Sequence, residues 1–163
     1  MTELIDLLIS DADLLPGEAA ERISIRRIAS RESNRTAADI MEPMPTIEAG
    51  CSVLEAAAKL VEAGIPILAV VSSQGDLVGV VTEWDITRAT SIGSPEQQRL
   101  KEIMTRKVIS ASPHDSILEL VRKLEYHKIS AIPIVDKGVV LGVVSADLLA
   151  RRSLFRLLQS EVD

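Results

Sequence analysis

The chain has 163 residues, 47% of them hydrophobic and 2% aromatic, and a formal net charge of -6. That balance sets aside a disordered chain and asks for a core of Val, Ile, Leu and Ala. The acidic sum argues against a general nucleic-acid binder. The single cysteine, Cys51, rules out an intrachain disulfide and a cysteine-based zinc cluster.

Residues 1–35 read as a separate extension. Met1 to Glu21 carries six acids and no bases, whereas Arg22 to Arg35 carries five arginines and one acid. Leu4, Leu7 and Leu8, then Ile23, Ile25 and Ile28, form amphipathic helical patterns around a Pro16-Gly17 break. The segment is read either as a solvated, self-complementary leader or as a docking arm. Its start lacks a basic region before the apolar run, so no signal peptide is expected. No apolar run is long enough to span a membrane, and the expected location is the cytoplasm.

From residue 36 onward the chain repeats itself. Ile40-Met41 recurs as Ile103-Met104, an offset of 63. Leu54-Glu55 recurs as Leu118-Glu119 and Lys59-Leu60 as Lys123-Leu124, an offset of 64. Gly79-Val80-Val81 recurs as Gly142-Val143-Val144, back at 63. Drift of one residue belongs in loops.

Each repeat reads the same way. Ser52-Val53-Leu54-Glu55 and Ser116-Ile117-Leu118-Glu119 are capping boxes that open helices, one closing at Gly64 and one near Lys128. An apolar strand follows in each, Ile67 to Val71 and Ala131 to Val135. The turns SSQGD at 72–76 and DKG at 136–138 lead to second strands, Leu77 to Val81 and Val139 to Val144. A helix then starts at Thr82 or Ser145. Between the repeats, Ser94-Pro95-Glu96-Gln97 predicts the start of a linking helix. The resulting fold class is α/β (α+β). It has two pseudo-symmetric β-α-β-β-α units packed sheet to sheet, because strands apolar on both faces need cover on both. Residues 36–93 form the first unit, 94–153 the linker helix and second unit, and 154–163 a C-terminal tail.

The phrases DIM at 39–41 and EIM at 102–104, the two capped LE helices, GIPILAVV and ISAIPIVD, and the closing GVVTEWD and GVVSAD together resemble a tandem cystathionine-beta-synthase (CBS) domain pair, or Bateman module. The resemblance covers roughly residues 36–153. It implies a regulatory module that holds an adenosine-bearing ligand between the repeats: AMP, ADP or ATP, with NAD or S-adenosylmethionine as alternatives. It also implies a homodimer, no required cofactor, and an effector protein as the regulated partner. No nucleic-acid or membrane partner and no catalysis are expected.

The resemblance also assigns residues. Thr82 and Asp85 match the family's T-x-x-D phrase, which implies ribose and phosphate contacts. A carboxylate suits the two adjacent ribose hydroxyls. The same pair read alone is a helix cap with an acid in the first turn. Ser145 and Asp147 depart from the phrase by one residue, about 100° of helix rotation, so the second cleft is expected to be weaker or empty. Adenine walls are implied at Thr46, Ile47, Ile65, Pro66 and Ile67, and at Ile109, Ser110, Ile129, Ser130 and Ala131. His127 and Lys128 are implied to face phosphate, or else they complement the dipole of the helix they end. Trp84 stacks on a base or, the favoured reading, packs in a dimer. Cys51 and His114 read as loop residues rather than a catalytic dyad, and no metal-ligand spacing is present. The rival to nucleotide sensing is a constitutive interaction dimer.

Overall fold

The computed structural model describes residues 34–160, with side-chain burial through residue 154. The readings on residues 1–33 lie outside the described residues. The elements in order are α1 (Ala37–Ile40), β1 (Thr46–Glu48), α2 (Val53–Ala63), β2 (Ile67–Val71), β3 (Leu77–Thr82) and α3 (Glu83–Ile92). Then come α4 (Leu100–Ile103), α5 (Ile117–His127), β4 (Ala131–Asp136), β5 (Val139–Ser145) and α6 (Ala146–Ser160).

The two main helices begin where their sequence caps them. Ser52 Oγ accepts from Glu55 N at 3.2 Å, and Glu55 Oε2 accepts from Ser52 N at 2.7 Å. Ser116 and Glu119 make the same pair of bonds at 3.2 and 2.7 Å. Each box satisfies two N–H groups that the helix itself leaves open. Helix α2 stops at Gly64 with φ 64°, and α5 stops at Lys128 with φ 52°. Both are left-handed caps, but Lys128 pays the steric cost of a Cβ there.

In the first repeat β1 runs parallel to β2, and β2 runs antiparallel to β3. The register places Ile67 opposite Thr82 and Val70 opposite Gly79. The second repeat pairs β4 with β5, Ala131 opposite Ser145 and Ile134 opposite Gly142. Its counterpart of β1 shrinks to one bridge, Ala111 to Ile134. Pro133 explains the difference. It stands where the first repeat has Ala69, whose N–H donates to the Pro45 carbonyl at 3.1 Å. Proline has no N–H, so that rung is missing.

Each repeat borrows its lead segment from before the other. Ala37 and Ile40 of α1 are buried in the second repeat's core with Leu120, Ile132 and Val144. Leu100 and Met104 are buried in the first repeat's core with Val53, Leu68 and Val81. Reciprocal backbone bonds lock the exchange. Glu42 N donates to Val143 O at 3.0 Å, and Val143 N donates to Glu42 O at 2.9 Å. Thr105 N donates to Val80 O at 2.9 Å, and Val80 N donates to Thr105 O at 3.0 Å. Ala37 and Ile40, expected within the unit 36–93, thus pack in the core of the other repeat. A third cluster joins the two sheets through Ile67, Val80, Ala131 and Val143.

Two expectations change. No helix starts at Ser94. Residues 95–97 form a single turn, and the helix comes later, at Leu100–Ile103. The turn closes because its carbonyls are drawn to the open N–H groups of α2: Val53 N bonds Gln98 O and Leu54 N bonds Pro95 O, both at 3.0 Å. The tail expected at 154–163 also continues as helix α6 through Ser160.

Candidate functional site

Between the repeats lies a cleft of about 760 Å³. One wall is the junction of β3 and α3, with Thr82, Glu83 and Trp84. The entry to β4 also lines it, with Lys128, Ile129, Ser130 and Ala131. Pro66 and Ile67 close one side, and Thr105, Val108 and Ile109 the other. The lining is predominantly apolar with a few polar groups, the usual make-up of a small-molecule site.

At Thr82 the chain passes from strand to helix. Its hydroxyl accepts from Asp85 N at 3.2 Å and donates to Asp85 Oδ2 at 3.0 Å. The same carboxylate oxygen accepts Thr82 N at 2.9 Å, and Oδ1 accepts Arg88 Nη2 at 3.1 Å. Asp85 is buried and does not line the cleft. Its carboxylate is engaged as a cap, so Thr82 presents the cap's rim to the cleft while Asp85 holds it from behind.

The second repeat differs at the same step. Ser145 caps α6 by accepting Leu148 N at 2.9 Å. Counting from the cap, Leu148 takes the third helical position, the one Asp85 holds in the first repeat. Leu148 is buried and apolar, so no carboxylate can close a box there. Asp147 lands on the outer face, its side chain 81% exposed, paired with Arg151 Nε at 3.2 Å. Arg151 also reaches Glu42 Oε1 at 3.4 Å.

Of the expected ligand residues, the cleft gathers Pro66, Ile67 and Thr82 from the first repeat, and Ile109, Lys128, Ile129, Ser130 and Ala131 from the second. The remaining eight do not line it. Ile47 is buried in the first core, and Ile65 packs on the central cluster. The carbonyls of Thr46 and Ser110 accept Lys59 Nζ and Lys123 Nζ, a mirrored pair at an offset of 64. His127 is exposed and edge-on to Tyr126, with ring centroids 4.9 Å apart. Asp85, Ser145 and Asp147 are placed as above.

Sequence reasoning overlooked Val80, Thr105, Val108 and Glu83 as wall residues. Thr105 follows the second IM phrase directly, and the repeat of that phrase was its available signal. Trp84, 68% exposed, stands in the cleft wall. Cys51 packs beside the first core and His114 is exposed in the turn before α5. Among the described residues no group of three His, Cys, Asp or Glu side chains is arranged to hold a metal ion. Among them, too, no helix is long and apolar enough to cross a membrane.

The model of the CBS domain family matches residues 37–91 and 100–154. A homoserine O-acetyltransferase of Methanohalobium evestigatum is 40% identical over 121 residues, 73% of this chain and 24% of that protein. An L-aspartate semialdehyde sulfurtransferase of Methanosarcina acetivorans is 37% identical over 112 residues, 66% of this chain and 22% of that protein. The chain thus spans about a quarter of the length of these curated relatives. Among solved structures, the CBS domain pair of protein MJ0100 in complex with 5′-methylthioadenosine and S-adenosyl-L-methionine superposes with a TM-score of 0.68. It is 32% identical, and the match covers 74% of this chain and 97% of that one.

Proposed function

The chain belongs to the CBS domain family, and from that premise we propose that it is a regulatory module binding an adenosine-bearing ligand in the cleft between its repeats. The observation that carries the reading is the cleft itself. It gathers Thr82 of one repeat with Lys128 and Ser130 of the other, and with the apolar Ile67, Val108 and Ile109, in one lining. Apolar walls suit a flat base, and the polar rim suits a ribose and its 5′ substituent. The related pair that holds 5′-methylthioadenosine and S-adenosyl-L-methionine supports the same ligand class. AMP, ADP, ATP and NAD are the other members to be tried.

Binding across the repeats makes the module a sensor. A ligand touching both repeats favours the arrangement in which they share one lining, and a regulated effector protein would read that bias. The proposed assembly is a homodimer. Leu54 and Val61, seven residues apart on one stripe of α2, are 48% and 84% exposed and need cover.

Thermal unfolding with each candidate ligand tests the reading. A ligand at about 100 times its Kd adds about 2.7 kcal/mol of stability. A rise in Tm with at least one adenosine compound, lost when Ala131→Trp fills the cleft, is the expected result. No shift with any of them would leave the interaction-dimer reading in its place.

A further inference from the structure

We infer that the cleft selects an adenosine-bearing ligand carrying at most one phosphate and discriminates against di- and triphosphates, an inference that rests on the proposed occupancy of this cleft by an adenosine compound. Among the described residues, two charged ones line the cleft, Lys128 and Glu83, and their formal charges sum to zero. A polyphosphate needs several cations or open N–H groups around its oxygens. The nearby arginines are spent elsewhere: Arg88 on Asp85 at 3.1 Å, and Arg106 on the Lys101 carbonyl at 2.8 Å. Neither lines the cleft, and neither do the exposed Lys107 and His127.

The helix ends offer little more. At the start of α3, Glu83 N donates to Pro66 O at 3.2 Å and Asp85 N to Thr82 Oγ1 at 3.2 Å. At the start of α6, Ala146 N donates to Ser130 O at 2.9 Å and Leu148 N to Ser145 Oγ at 2.9 Å. The Thr82 hydroxyl spends its one proton on Asp85. Of the first three N–H groups of each helix, the first and third are therefore satisfied within the protein, which leaves one at each helix start, on Trp84 and on Asp147. Among the described residues, the lining then offers a polyphosphate one lysine, Lys128, together with one acid, Glu83, that disfavours further negative charge.

Titration calorimetry in divalent-free buffer at fixed ionic strength, with adenosine, AMP and ATP, tests this. AMP should bind at least about tenfold more tightly than ATP, since one uncompensated like charge at this range costs about that factor. Glu83→Lys should narrow the AMP-to-ATP ratio by about tenfold, and Lys128→Met should bring AMP down to the affinity of adenosine. ATP equal to or tighter than AMP on the unaltered protein would overturn the inference while leaving the adenosine reading intact, as would a ratio that Glu83→Lys does not move. Failure of all three compounds to bind would sink the adenosine reading and this inference with it.

Discussion

Gly79 lies directly beneath Met104: a Cβ built on Gly79 would stand 2.8 Å from Met104 Sδ and 2.9 Å from the Thr105 carbonyl oxygen. The mirror site is tighter against backbone, where a Cβ built on Gly142 would stand 2.7 Å from the Glu42 carbonyl oxygen and 2.9 Å from Met41 Cγ. Each glycine admits the lead segment that the other repeat's sequence contributes. Alanine at either position should destabilise by about 1–3 kcal/mol through overpacking. Gly142→Ala should cost more, because a backbone carbonyl stands closer to the added Cβ there, 2.7 Å against 2.9 Å. Urea denaturation of both variants checks the order. Equal stability of Gly142→Ala and the unaltered protein would contradict the exchange of lead segments.

The two aspartates that look alike in sequence should respond differently. Asp85→Ala removes a buried cap that accepts from Thr82 and Arg88, and should cost about 1–3 kcal/mol. Asp147→Ala removes an exposed ion pair with Arg151 and should cost less than about 1 kcal/mol. The denaturation midpoints decide it. A loss at Asp147 as large as at Asp85 would show that the missing box in the second repeat is replaced by something equally strong.

Acid should weaken the capping boxes. The Ser52 backbone N–H, and then its hydroxyl, hold the Glu55 carboxyl below its ordinary value. Thr36 does the same for Asp39 through its backbone N–H and then its hydroxyl. A carboxyl whose folded pKa lies below its unfolded one binds fewer protons when folded, so stability rises with pH. That contribution is complete above the unfolded values, about 3.9 for Asp and 4.3 for Glu. It is lost as pH falls through the lower folded values. Both groups are exposed, so the effect is small and salt-sensitive. Denaturation midpoints between pH 6 and pH 3 should show a shallower fall for Glu55→Gln than for the unaltered chain.

The exposed stripe on α2 gives a test of assembly. Val61→Asp puts a charge on a residue that is 84% exposed in the single chain. In a monomer it is neutral to stability within about 0.5 kcal/mol. In the proposed dimer it buries an unpaired charge, and light scattering should then report the mass of one chain in place of two. No change of mass would place the interface elsewhere or remove it.

Much of this molecule was legible because the deciding interactions are local. Ser52 and Glu55 are three residues apart, and so are Ser116 and Glu119, so each capping box is written in four consecutive letters. Gly64 ends α2 for the same kind of reason. The Ser94-Pro95-Glu96-Gln97 phrase obeys the same local rules, yet no helix starts there. Its carbonyls instead meet the N terminus of α2, about 40 residues earlier in the chain, and local propensity cannot register that competitor. The site divides in the same way. Lys128, in the left-handed cap that ends α5, lines the cleft, while His127, the last helical residue, stands outside it.

Sequence alone determined the two capped helices, the strand pairs, the repeat, and the fact that Asp147 falls out of step with Asp85. Each of these follows from spacing within a few residues or from self-similarity along the chain. Tertiary structure decided that Ile40 packs in the second repeat and Met104 in the first, that Asp85 turns inward to hold Thr82, and that Thr82 and Lys128 share one cleft. Those outcomes depend on which distant surfaces meet. That is settled by close packing across the whole core, as at Gly79, where even an added Cβ would stand only 2.8 Å from Met104 Sδ.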